Sequence, residues 1–233
     1  MKIDFSKTDQ RKGIPAPPIQ KPYSPDQNIL ALPKKEEWKT IQDTNLVSAI
    51  EARHSVRRYT SEPLNLEELA FLLWATQGIK HHLNPATAKR TVPSAGCRHS
   101  FETYLCISNV NDLDIGVYRY LPIEHALVFE HEIENASQKL DLATLNQRFI
   151  SSAPVTFIWT TIPYRMEWRY DLAAHRVILI DAGHVCQNLY LACEAINAGT
   201  CAIAAFNQEK MNNVVNVDGE EEFVIYLAPV GKV

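Results

Sequence analysis

A chain of 233 residues, 46% hydrophobic and 21% charged, is long enough to bury one sizeable core and has the make-up of an ordinary soluble protein. Its formal net charge of −4 at pH 7 speaks against a nucleic-acid partner, which needs a basic face, and its apolar runs, such as Ala153 to Trp159, are too short to span a bilayer. One α/β domain is therefore expected.

Residues 1–43 carry Pro15, Pro17, Pro18, Pro22, Pro25 and Pro33 and few periodic apolar positions. They read as an extended arm without a core of its own, either a disordered tail or a strap lying on the body or on a partner subunit. The folded domain is expected over residues 44–233. Leu46, Val47, Ala49 and Ile50 fit a short helix over residues 45–53 that ends in a basic turn, Arg53-His54-Ser55-Val56-Arg57-Arg58-Tyr59. Asn65 and Glu68 have the spacing of a capping box, and Leu66, Leu69, Leu72, Leu73 and Trp74 form the buried stripe of a second helix, with Gly78 as its stop. A loop is expected from Ile79 to Ser100.

Thr103 to Val110, Val117 to Tyr120 and Ala126 to Glu130 read as strands, followed by helical spacing from Asn135 to Ile150. Val155 to Thr161 is apolar on both faces, as an interior strand should be. Leu172 to Ala198 predicts a long helix, apolar nearly all round and ended by Gly199. Such a helix is buried on several sides, either at a dimer core or at the centre of a monomer. Gly183 inside it suggests close helix packing. A small helix over Gln208 to Val215 and a strand over Phe223 to Val230 complete the chain.

Three stretches carry chemistry. Arg53-His54-Ser55-Val56-Arg57 sets two guanidiniums and a hydroxyl at a helix end, a grouping suited to a phosphate. In Arg90-Thr91-Val92-Pro93-Ser94-Ala95-Gly96, small residues after a proline let backbone N–H groups approach a flat ligand. Cys201-Ala202-Ile203-Ala204-Ala205-Phe206 can place an N–H beside a planar ring. The five cysteines form no Cys-x-x-Cys pair, and all but Cys97 sit among apolar neighbours, as reduced thiols of a cytoplasmic protein do. Met1-Lys2-Ile3-Asp4 lacks the apolar stretch of a signal peptide, which agrees with a cytoplasmic location. His81, His82 and His99 lack metal-ligand spacing, so no metal site is expected, and no Walker, Rossmann or nucleophile-elbow motif is present.

In this order and spacing the stretches resemble the nitroreductase-like flavoproteins, in particular the SagB-type dehydrogenase branch. The resemblance runs from Ala49 to Val233 and includes Glu62-Pro-Leu-Asn-Leu-Glu-Glu-Leu, Gly116-Val-Tyr-Arg-Tyr, Asp181-Ala-Gly-His-Val-Cys-Gln-Asn-Leu and Ala228-Pro-Val-Gly-Lys. It implies an α+β fold, with a central, mainly antiparallel sheet flanked by helices and the long helix at the interface of a homodimer. It also implies that Arg53, His54, Ser55 and Arg57 hold the phosphate and ring edge of FMN. Pro93, Ser94, Ala95 and Cys97 then match the loop that reaches the flavin from the opposite subunit, Ala204 and Ala205 the turn facing its N5, and Gly231 and Lys232 the last phosphate contacts. The family's loop usually carries another small residue or an asparagine where this chain has Cys97-Arg98, which sets a thiol and a guanidinium at the flavin's mouth.

With FMN bound, the flavin performs the hydride chemistry and no side-chain base is obligatory. The resemblance implies a ping-pong reaction in which NADH or NADPH reduces FMN and an electron-poor nitro or quinone acceptor reoxidises it. Two alternatives stay open: a SagB-type dehydrogenase that oxidises azoline rings in a peptide-modifying complex, and a non-catalytic flavin-binding module.

Overall fold

The computed structural model describes residues 4–233. Helix α1 (Leu46–Ala52) is capped by Asn45, whose side-chain oxygen accepts from the Val47 and Ser48 N–H groups. Helix α2 (Leu66–Gln77) starts at the full Asn65–Glu68 capping box. Gly78 follows it with an ordinary φ of −59°. Space rather than handedness requires glycine there, because a Cβ would lie 2.5 Å from the Trp74 ring.

The segment expected as a loop contains a hairpin, β2 (Ile79–Asn84) and β3 (Thr87–Arg90). Its first strand is exposed at almost every position, so the buried alternation that marks a strand never arises. Strands β4 (Phe101–Ile107), β5 (Gly116–Leu121) and β6 (Ala126–His131) follow as a meander. Helix α3 (Ala136–Ala143) is half the expected length, because Leu145 and Asn146 turn left-handed, with φ of 57° and 60°. After β7 (Val155–Thr161) comes helix α4 (Tyr164–Tyr170), which the sequence patterns did not mark; Asp171, with φ of 44°, separates it from the long helix α5 (Ala174–Glu194), which lies within the expected Leu172 to Ala198. Gly199 lies in strand β8 (Ala198–Thr200), beyond the end of α5. Helix α6 (Gln208–Val215) and strand β9 (Phe223–Lys232) close the chain.

Apart from the β2–β3 hairpin, the strands join β1 (Ile29–Ala31) in one seven-stranded sheet, in the order β1-β6-β5-β4-β7-β9-β8, antiparallel at every pairing. Interior strand β7 is buried along its whole length. One face packs against α2 and α5 through Leu69, Leu73, Phe157, Val185 and Leu189. The other packs against α3 and α6 through Leu140, Ile158, Met211 and Leu227.

The proline-rich arm lies on the body. Its β1 is an edge strand of the sheet, and Ile19 and Leu32 enter the core. Proline leaves a chain short of backbone donors, so the carbonyls of such a strap need donors from elsewhere. Buried arginines supply them: Arg98 donates to Pro17 O at 3.0 Å, Arg90 to Ile19 O at 2.7 Å, and Arg119 to Lys21 O and Pro22 O at 3.0 and 3.1 Å. Carboxylates balance part of that charge. Arg165 pairs with Glu102 and Arg119 with Glu130, both at 2.6 Å, and Lys21 Nζ pairs with the buried Glu222 at 2.6 Å.

Removing one member of this network strands the others in a poorly solvated interior. Arg119→Met should lower the unfolding free energy by about 3–5 kcal/mol, read from urea unfolding, and should make the arm sensitive to protease. A loss below about 1 kcal/mol would mean that the arm is held by packing alone.

Candidate functional site

The basic turn is laid against β8 by backbone. Ser55 bridges Thr200 in parallel, and Val56 N donates to Thr200 O at 2.9 Å. Gly199 permits the approach, since a Cβ there would stand 2.5 Å from Val56 Cγ2. Tyr190 of α5 then joins the turn to the stretch after β8. Its hydroxyl lies 3.0 Å from Ser55 Oγ and accepts from Ala202 N at 2.9 Å, while the Arg53 guanidinium sits 5.3 Å over its ring. Nothing in the sequence patterns singled out Tyr190; its place two turns past Asp181-Ala-Gly-His is the only signal.

His54, Ser55 and Arg57 are exposed, Arg53 half-buried, and Arg57 lies 5.9 Å over the Phe149 ring. Ala204 and Ala205 are exposed beside them, and Gln147 Nε2 fixes the Ala205 carbonyl at 2.9 Å. Among the described residues neither the Ala204 nor the Ala205 N–H donates a hydrogen bond. Exposed guanidiniums and two open backbone donors fit the phosphate and the ring edge of a flavin mononucleotide.

Lys232 does not join the exposed cations. Its ammonium is buried, bonded to Glu68 at 2.5 Å and to Ile196 O at 2.7 Å, so the charge expected at a phosphate is neutralised in the interior. Gly231 lies behind the turn, where a Cβ would press within 2.9 Å of Tyr59 and Pro154.

The second group sits elsewhere on the chain. Pro93 is exposed, and Ser94, Ala95 and Cys97 are half-buried in a short turn against α4 and α5. Gly96 needs its freedom, with φ of 58° and Arg169 and Tyr170 only 2.8 Å from a Cβ. The Ala95 N–H donates to both oxygens of Asp181 at 3.2 Å, and burial holds that carboxyl above the usual range. Arg98 corrects the expectation of a cation at the flavin's mouth. It is turned inward, donating to Arg165 O and Ala86 O as well as to the arm, with its guanidinium 4.8 Å over Trp168.

The two groups are tied to different points of one helix. Asp181 holds one and Tyr190 the other, nine residues apart along α5, or about 13 Å. The face of α5 around them is open: Leu179 and Ile180 are more than half exposed, as are Leu172 just before the helix and Leu46, Val47 and Ile50 of α1. Gly183, expected in a tight helix contact, has no neighbour within 4 Å of a Cβ. Beside Ala204, on the other side of the turn, opens a cleft of about 1090 Å³ walled in part by the arm.

Residues 50–232 match the model of the nitroreductase family, and the chain belongs to that family. It is 32% identical over 192 residues to a protein of Methanocaldococcus jannaschii that bears the name nitroreductase, a match covering 82% of this chain and 93% of the relative. It is 22% identical over 139 residues to the microcin B17-processing protein McbC of Escherichia coli, covering 58% of this chain and 51% of the relative. Among solved structures, one from Ralstonia eutropha, likewise described as a nitroreductase, has a TM-score of 0.72 at 22% identity, covering 94% of this chain and 98% of that one. A chain of the E. coli microcin synthetase McbBCD complex has a TM-score of 0.65 at 18% identity, covering 88% of each chain. One from Exiguobacterium sibiricum, solved in complex with FMN, has a TM-score of 0.58 at 14% identity, covering 84% of this chain and 91% of that one.

His99, which follows the loop, should make stability depend on pH. Burial, reinforced by Arg90, pushes its imidazole down to about 2, and it bonds to Ala88 O at 3.1 Å. The unfolded chain takes up this proton near pH 6.5 and the folded chain does not, so His99 supports stability above pH 6.5 and withdraws that support as the pH falls toward 2. Unfolding free energy should drop below pH 6.5 by up to about 1.4 kcal/mol per pH unit from this group alone. His99→Asn, which suits its φ of 47°, should flatten that slope; an unchanged slope would assign it to other residues.

Proposed function

We propose that this protein is an FMN-dependent oxidoreductase acting as a homodimer. It transfers hydride between NADH or NADPH and an electron-poor acceptor of nitro or quinone type, each substrate leaving before the next enters. The observation that carries the reading is the exposed Arg53–Arg57 turn held beside the two open N–H groups of Ala204 and Ala205. Family membership and an FMN-bound structural neighbour support it.

Bound FMN supplies the hydride acceptor and donor, so the protein's part is binding, orientation and electrostatics. Arg53 and Arg57, with Ser55 and His54, take the phosphate and ribityl end, where charge and several donors are needed together. Tyr190 keeps Ser55 and Ala202 in one register, so the phosphate and ring contacts cannot drift apart. The Ala204 and Ala205 N–H groups face the ring edge. Gly231 and Lys232 back the turn from behind, the lysine through its bond to Glu68 rather than by touching phosphate.

The uncovered faces of α1 and α5 support the homodimer. Two copies of α5 crossing antiparallel between Asp181 and Tyr190 bring the Pro93, Ser94, Ala95 and Cys97 loop of one protomer to the basic turn of the other. Gly183, without side chain or neighbour, gives the crossing its close approach. That closure excludes water from the ring. The burial of Cys106 and Cys186, whose thiols are pushed up to about 12, keeps them out of the chemistry and suits a reducing, cytoplasmic setting.

A second reading is an azoline dehydrogenase acting on a modified peptide. It is favoured by the likeness to the McbBCD chain and by a cleft large enough for an extended substrate.

Purified protein should show the visible absorption of bound flavin and bleach on anaerobic addition of NADH or NADPH. Arg53→Ala and Arg57→Ala should each weaken FMN by about tenfold or more, with a steeper salt dependence lost. Protein that stays colourless after addition of FMN would overturn the reading. Flavin that is reduced only by an azoline peptide would select the second.

A further inference from the structure

The cleft beside Ala204 has a composition that the flavin chemistry does not account for. The arm lines it through Pro17, Pro18, Lys21 and Pro22, and the rest of the lining includes the apolar Phe206, Phe223 and Ile225. The arm is fixed: buried Arg90, Arg98 and Arg119 grip its carbonyls, so this wall is built in rather than closed over a ligand. At about 1090 Å³ the cleft is at the upper end of the range for small-molecule sites, which run to roughly 1,000 Å³.

Its charge is one-sided. Lys21 is paired with Glu222 and Arg165 with Glu102, so both cations of the lining are already neutralised. Glu167, Glu220 and Glu221 also line the cleft, all exposed and none with a basic partner among the described residues; His175 is the remaining titratable group. In its wall Thr161 is fully buried, and its hydroxyl has no hydrogen-bond partner among the described residues. A low-dielectric cleft rimmed by one sign of charge concentrates ligands of the other sign.

We propose that this cleft, completed by the N-terminal arm, is the acceptor site, and that its carboxylate rim selects substrates that pair a flat apolar body with a positive charge. The inference rests on the flavin reading for its chemistry, because Ala204 joins the cleft to the proposed ring position. The apolar wall takes the conjugated body, and Glu220 and Glu221 meet the cation. An anionic acceptor loses that contact and meets repulsion instead.

The test uses the full-length holoenzyme and two quinones with the same ring, one bearing a trimethylammonium group and one a sulfonate. Glu220→Gln combined with Glu221→Gln should raise the KM of the cationic quinone about three- to tenfold, lower that of the sulfonate, leave kcat within about twofold and leave reduction by NADH no slower. The cationic quinone's KM should also rise with salt in the wild type and not in the variant. Unchanged KM values in the variant would overturn the proposal. Binding of a redox-inert cationic aromatic dye, followed by fluorescence anisotropy, reads the cleft without turnover: preference over its sulfonated analogue supports the proposal and equal binding refutes it. Protein that takes up no flavin yet prefers the cationic dye would sink the oxidoreductase reading and leave the cleft's selectivity standing.

Discussion

Helix α5 is the constraint on which the site depends, because it fixes two groups of residues at two points of one rigid rod. Asp181 holds the Ser94–Cys97 turn through the Ala95 N–H, and Tyr190 ties the basic turn to the segment after β8. A rod keeps its two ends apart. In the proposed dimer a two-fold crossing of a second α5 unites the two groups without bending either helix.

A second constraint comes from the arm. A proline-rich strap has carbonyls to satisfy and few donors, and the body answers with guanidiniums, of which Arg119 is balanced by Glu102 and Glu130. Buried charge of this kind contributes little net stability but fixes one arrangement, since any displacement leaves an ion unpaired. The proposed acceptor cleft inherits that rigidity, because the strap is its wall. The same pairing neutralises Lys21 and leaves the rim carboxylates to set the sign of the field.

Much of the scaffold was legible where the sequence states a local rule. The Asn65–Glu68 box, the doubly apolar Val155–Thr161 strand and the Gln208–Val215 helix all stand where periodicity and capping put them. The misses share a cause. The β2–β3 hairpin buries too little to alternate, α3 stops at two left-handed residues that periodicity does not register, and Gly199 serves a backbone contact with Val56 rather than a helix end. Of the proposed site, the basic turn and the alanine turn were readable from residue type, and the structure puts them side by side. The neutralised Lys232, the inward Arg98 and the tie made by Tyr190 depend on partners far away in sequence, which no local pattern carries.

The central claim, that each flavin site draws on two protomers, is tested most directly by mixing two defective chains. One carries Arg53→Ala and Arg57→Ala; the other carries Gly96→Val, which crowds Arg169 and Tyr170 and displaces the loop. Each alone should be a folded, colourless dimer. Co-refolded in equal amounts, half of the dimers are mixed and each holds one intact site, so flavin binding should return to about a quarter of the wild-type level. Mixtures as colourless as their components would contradict the account.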